Sequence, residues 1–263
     1  MKPVQKYLIP ALMGLFALHS PDAGAVETGV PTYLPNNYGK SLTTPVAWGA
    51  SNGVIFLGVG GTSPSPYSAK SDGAAVLGAG IGDPEKNLGI QLSVVSLNVN
   101  FNNGWSQYSG SLHVFRDLGN ANAIGAGVEN VMFTNGGDAG KSYYAVYSQG
   151  VQADPFIDST TGNSKLTYSV GVGSGRFGDK TPDDILSGKG KHGSYVFGNI
   201  AYEVAHTFNV ITDWNGTNLN AGVSKTFRIG SVPIALVVGA ADLTSNSGDG
   251  VRLIGAIGTG FKL

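Results

Sequence analysis

The sequence predicts an all-β chain that closes into an antiparallel barrel and crosses a membrane with its strands, and three observations lead there. Segments of alternating polarity recur from about residue 50 to the last residue, separated by clusters of Gly, Asn, Asp and Pro. Charged residues make up only 13% of the 263 residues, about half the ~25% of soluble globular proteins. Something other than a charged shell must therefore cover the surface. Several segments are also roughly 10–13 residues long, beyond the ~5–6 of ordinary strands and close to the ~9–11 that a tilted strand needs to cross a bilayer.

The chain divides into three parts. Lys2 and Lys6 form a short basic region, Tyr7 to Leu18 is an apolar run interrupted by Pro10 and Gly14, and Ala23-Gly24-Ala25 supplies the small residues of a cleavage site. Residues 1–25 read as a signal peptide, because an apolar run of about 12 residues falls short of the ~20 that a membrane helix requires. Residues 26–49 carry Pro31, Pro35 and Pro45, which resist both helix and central strand. This is an irregular leader, either a plug or a periplasmic tail. Residues 50–263 form the barrel.

About twelve strands (roughly 10–14) fit that last part. They are expected near 52–60, 74–82, 87–101, 104–116, 120–134, 142–153, 164–176, 194–204, 206–214, 217–228, 231–242 and 250–263, with no helix between them. In the tenth, Leu219, Ala221, Val223 and Phe227 share one face, and Asn218, Asn220, Ser224 and Thr226 the other; Lys225 breaks the apolar face near its end, where it can snorkel. In the twelfth, Val251, Leu253, Ile257, Phe261 and Leu263 oppose Arg252, Gly258, Gly260 and Lys262, with Ile254 as the exception. Alternation alone leaves open a secreted soluble β-sandwich with its apolar faces inside. The polar faces, however, are Gly, Ser, Asn and Thr with few charges, which suits a wet lumen or a packed barrel interior.

Aromatics and loop lengths carry the same message. Trp105, Tyr108, Phe133, Tyr143, Tyr144, Tyr195, Phe197, Trp214, Phe227 and Phe261 lie toward segment ends, as two interfacial girdles would place them. An even strand count returns both ends to one side. It puts long connections (61–73, 135–141, 177–193, 243–249) outside and short turns (83–86, 117–119, 205, 229–230) inside. The exceptions are tight outside turns at 102–103 and at Asn215-Gly216, and a long inside connection at 154–163.

The C-terminal stretch Gly258-Thr259-Gly260-Phe261-Lys262-Leu263 resembles the assembly signal of bacterial outer-membrane β-barrels. Gly258, Phe261 and Leu263 match its pattern, whereas Ala256 stands where a polar residue is favoured and Leu263 replaces the commoner terminal aromatic. The resemblance implies an outer-membrane location reached by export, with outer-membrane lipid and the barrel-assembly machinery as partners; no subfamily is implied. The function expected with it is a porin-like channel or a binding barrel for small polar solutes. The alternative is a structural or surface-interaction barrel with a closed lumen.

Candidate site residues follow from the sparse charges on the polar faces. Glu129, Glu203, Asp213 and Arg252, with His113, are the pore-lining candidates, since such residues set ion preference in an open lumen and pair with one another in a closed one. Glu203 and Asp213 belong to neighbouring strands, and Arg252 could neutralise either. No catalytic role is expected: His113, His192 and His206 are scattered over a strand, a Gly-rich loop and a turn, and nothing resembles a nucleophile elbow. Gly173-Ser174-Gly175-Arg176-Phe177-Gly178 satisfies a dinucleotide fingerprint in form, but no helical pattern follows it. Asp183 and Asp184, among Arg176, Lys180, Lys189 and Lys191, read as a solvated mixed-charge loop. With no cysteine, no disulfide, thiol chemistry or cysteine-ligated metal is expected, and a net charge of -1 gives no reason for a nucleic-acid partner; no other metal and no cofactor are assigned.

Overall fold

A computed structural model of the chain describes residues 39–100, 104–134, 140–159, 161–229 and 232–263. The expected signal peptide and the first part of the leader, residues 26–38, lie outside the described residues. Twelve strands follow the leader: β1 (Val54–Ser63), β2 (Asp72–Gly82), β3 (Gly89–Asn100), β4 (Gly104–Gly119), β5 (Asn122–Met132), β6 (Ser142–Gly150), β7 (Leu166–Gly173), β8 (Val196–Ala205), β9 (Phe208–Trp214), β10 (Leu219–Ile229), β11 (Val232–Ala241) and β12 (Arg252–Lys262). Each pairs antiparallel with the next, and β1 pairs with β12 from Val54↔Lys262 to Ser63↔Leu253, so the sheet closes on itself. A single closed sheet removes the sandwich alternative.

The end at which β1 begins and β12 finishes is called proximal here, and the opposite end distal. Proximal turns are short at 83–88, 120–121 and 206–207; the 151–165 connection is long, as the sequence pattern anticipates. Distal connections include 64–71, 174–195 and 242–251.

Alternation sets what each face does. Along β12, Arg252, Ile254 and Ala256 point into the barrel while Leu253, Ile257 and Phe261 point out. The outer wall repeats this around the whole barrel, exposing Leu57, Leu77, Leu92, Val94, Val170, Ile200, Val210, Leu236 and Val238. A closed antiparallel barrel with an apolar outer wall and a polar inner wall is the architecture of outer-membrane barrels. Lys225 sits near the proximal end of β10 and donates to the His206 carbonyl at 2.7 Å, carrying its charge off the apolar face.

Some expectations need correction. The 174–195 connection holds a 3₁₀ turn (Gly175–Phe177) and a short helix, α1 (Pro182–Leu186). Thr181 caps α1 and Pro182 opens it, a start signal present in the sequence. Tyr144 and Phe197 do not belong to a girdle. They face inward, because phenylalanines of the inner wall cover glycines across the ladder: Phe56 lies opposite Gly78, Phe115 opposite Gly89, and Phe197 opposite Gly171. A Cβ on Gly171 would run into the Phe197 ring. The proximal turn expected at 117–119 lies at Asn120-Ala121, both with positive φ (50° and 57°), because β4 continues to Gly119.

Candidate functional site

The lumen is occupied by the chain itself. Residues 39–50 are all buried, although none belongs to a helix or strand. Gly39 and Lys40 lie at the proximal end beside Ser224, Asn209 and Glu203. Thr43 and Thr44 reach Asp213 and Asn199 near the distal ends of β9 and β8. The chain then descends past Ala47 and Trp48 to Ala50, bonded to Gln91 near the proximal start of β3, and enters β1. Residues 39–50 thus form a re-entrant loop, a plug whose two ends both lie on the proximal side. Its apex is a local turn in which the Ser41 hydroxyl accepts from the Thr44 N–H (3.1 Å) and donates to the Thr44 carbonyl (2.6 Å).

The ascending limb rests in a polar cradle. Lys40 Nζ lies 3.3 Å from Glu203 Oε2 and donates to Asn209 Oδ1 at 2.6 Å, with both charged side chains buried. Asp213 Oδ2 accepts the backbone N–H of Leu42 (3.1 Å) and Thr43 (2.6 Å), and the Thr43 hydroxyl and Asn220 Nδ2 bond its Oδ1 (3.1 and 2.7 Å). Such saturation is what permits a buried carboxylate. Arg176, from the 3₁₀ turn, pairs through Nε with Glu129, donates through Nη1 to the Thr43 carbonyl at 2.9 Å, and lies over the Phe177 ring. Leu42 is the apolar exception, packed within a cluster that includes Ala201, Ile211, Val237 and Ile254.

The descending limb is held mostly by apolar and aromatic packing. Val46, Ala47 and Trp48 join Ala123, Val146, Phe177 and Phe197, with Tyr144 against them. Ala47 adds two polar ties to that of Ala50 with Gln91: its N–H donates to Ser148 Oγ (2.8 Å), and His113 Nε2 lies 3.1 Å from its carbonyl. A carbonyl only accepts, so Nε2 carries the proton and Nδ1 accepts from Tyr144 OH at 2.9 Å. Both ring nitrogens of His113 are therefore engaged.

Each charged pore-lining candidate faces the interior and is committed to a partner there. Glu203 and Asp213 lie on neighbouring strands but in different rungs, Glu203↔Asn209 and Asn199↔Asp213. Arg252 neutralises neither: it donates to Asp242 Oδ2 (2.6 Å) and Thr62 Oγ1 (2.9 Å) under the distal loops. Lys40 and Arg176, which complete the site, were not among the sequence candidates. The available signal was that Lys40 is the one charge in the segment 39–50.

A second polar centre crosses the distal connections. The loop expected to be solvated instead buries Asp184, which accepts from Tyr67 OH, Ser247 Oγ and Gly248 N–H, each at 2.7 Å, and from Thr181 Oγ1 at 3.0 Å. Burial pushes the Asp184 carboxyl up, but these donors outweigh it and hold the group below the usual carboxylate range. Tyr67 is pushed up to about 12, by burial first and then by its bond to Asp184. The 64–71, 174–195 and 242–251 connections are tied together at one carboxylate.

No family model and no curated protein matches the chain. Among solved structures it is similar to outer membrane phospholipase A from Escherichia coli, with 12% identity, a TM-score of 0.46, and coverage of 80% of this chain and 96% of the other. The Salmonella typhi outer membrane phospholipase dimer with bound calcium gives 12% identity, a TM-score of 0.44, and coverage of 80% and 90%. A bacterial polysaccharide outer membrane secretin gives 10%, 0.32, and coverage of 81% and 99%. No activity or residue role passes to this chain from likenesses of that order.

Proposed function

We propose that this chain is an outer-membrane barrel closed at rest by residues 39–50, and that it passes or binds small polar solutes when the ascending limb leaves its cradle. The observation that carries this reading is the commitment of the interior charges: Glu203 to Lys40, Asp213 to the plug's N–H groups, and Glu129 to the arginine that also holds Thr43. No residue of 39–50 is in the barrel's hydrogen-bonded ladder, so withdrawing the limb breaks no strand pairing. The apolar outer wall supports a lipid environment, since a closed barrel leaves no backbone edge to satisfy there. On this reading the proximal end is periplasmic.

The basic, apolar and small-residue regions of 1–25 support export by a cleaved signal peptide. The outward side chains of Phe261 and Leu263 at the end of β12 support contact with lipid and with the assembly machinery. A non-enzymatic role is supported by His113, sequestered between Tyr144 and Ala47. A second reading, a permanently closed barrel that displays its distal loops, is favoured by the Asp184 centre.

Single-channel recording in planar bilayers separates the two. The wild-type protein is expected to be silent, and the double variant Lys40→Met/Asp213→Ala to conduct in steps that shrink as larger solutes are added. Steady wild-type steps would defeat closure at rest, and a folded but silent double variant would leave only the permanently closed barrel.

A further inference from the structure

We propose that Asp158, Glu203 and His206 form a site for a divalent transition-metal ion of the zinc class at the proximal mouth, and that an ion bound there competes with Lys40 for Glu203. Glu203 and His206 flank one turn, and the pairing of β7 with β8 brings Asp158, about 45 positions earlier, beside them, so that one ligand atom of each lies within 4.8 Å of the others. Imidazole together with two carboxylates is a donor set that suits zinc and its neighbours, with water completing the sphere.

Backbone and side-chain hydrogen bonds hold the elements that carry the three. Glu203 sits where the β8–β9 register shifts, and its Oε1 accepts the Thr207 N–H at 2.9 Å, which fixes the turn carrying His206. Thr207 Oγ1 donates to the Thr226 carbonyl at 2.6 Å, and the Thr226 N–H donates to the Thr207 carbonyl at 3.1 Å, so the turn is also pinned to β10. The loop bearing Asp158 is joined to β8 through the Glu203 N–H, which donates to the Lys165 carbonyl at 2.8 Å. Zinc bonds such donors at about 2.0–2.2 Å, so the three must converge on one ion. Rotation of the exposed His206 ring provides the approach.

Glu203 couples the site to the plug. Its Oε2 holds Lys40 at 3.3 Å, and a dication on the same carboxylate repels that ammonium. By reciprocity, an ion that loosens the Lys40 latch binds more tightly once the latch is gone. The coupling to closure rests on the plugged-barrel reading; the binding site itself does not.

The test is calorimetric titration of the folded, detergent-solubilised full chain with zinc ion alone, with heat-dependent gel mobility as the folding check. One ion per chain is expected. His206→Ala and Asp158→Asn should each weaken binding more than about tenfold, the lower end of what even outer-shell partners of a metal contribute, while Lys40→Met should tighten it. His206→Ala removes an exposed side chain and keeps the turn's backbone bonds. His192→Ala, on the distal side, should change nothing. No binding by the wild type, or equal affinity in the His206→Ala protein, overturns the site. Zinc that binds as described yet does not raise single-channel activity overturns the coupling to the plug and leaves the site standing.

Discussion

The two limbs of the plug are held by different physics. The ascending limb, 39–44, lies among hydrogen bonds and ion pairs from β8, β9, β10 and the 3₁₀ turn, with Leu42 as its one apolar anchor. The descending limb, 46–50, is packed against aromatic and aliphatic side chains and runs directly into β1. Water can replace a hydrogen-bonding cradle group by group, so the net contribution of each bond is modest. It cannot replace the burial of Trp48. On the proposed reading, the ascending limb is the part that moves, and the descending limb belongs to the barrel's core.

That division can be broken by experiment, from the largest expected effect downward. Trp48→Ala should cost about 3–5 kcal/mol, read as a lower temperature of the heat-induced gel shift, without producing regular conductance steps. Regular steps from a stably folded Trp48→Ala protein would erase the distinction. Asp213→Ala leaves two buried plug N–H groups without their acceptor and should cost about 2–4 kcal/mol, with intermittent openings as its signature. Gly171→Ala should cost about 1–3 kcal/mol by forcing Phe197 off the descending limb's cluster, and a Phe197→Leu partner change should restore part of it.

The Asp184 centre tests whether the distal loops belong to the plug's machinery. Its carboxyl is held below its ordinary value of 3.8, so its contribution is present above that pH and is lost as pH falls through the lowered value. Protease cleavage in the distal connections should rise at that acid limb. Asp184→Asn should show the higher cleavage already at neutral pH and lose the acid dependence, with conductance unchanged; an Asp184→Asn channel that opens would join the two regions. The smallest effect is expected from Ala121→Gly, which relieves an alanine held at φ 57° and should stabilise the proximal turn by about 1 kcal/mol, raising the gel-shift temperature.

Much of the wall was legible because membrane strands repeat one rule. Leu219 and Val223 outward with Asn220 and Ser224 inward is the same pattern in sequence and in space. Where the rule is local it reads well, and where partners are distant it does not. Nothing near Asp213 in sequence tells that its acceptors are filled by Leu42 and Thr43, about 170 positions away. Inward phenylalanines such as Phe197 resemble girdle residues until the glycine opposite them, Gly171, is known to be opposite. Asp184 looked solvated because the capping pattern Thr181-Pro182-Asp183-Asp184 was hidden in a charge-rich stretch.

The re-entrant path of residues 39–50 also bears on how the barrel is built. In chain order the plug precedes every strand, yet its contacts extend from Gln91 on β3 to Ser224 on β10. In the closed barrel the segment thus touches wall strands that lie far apart around the sheet and share no ladder with one another. Without it, Glu203 would lose Lys40 and Asp213 would lose the N–H groups of Leu42 and Thr43 inside a closed wall. Residues 39–50 are in this sense an internal strut, bracing from within strands that no shared hydrogen bond joins.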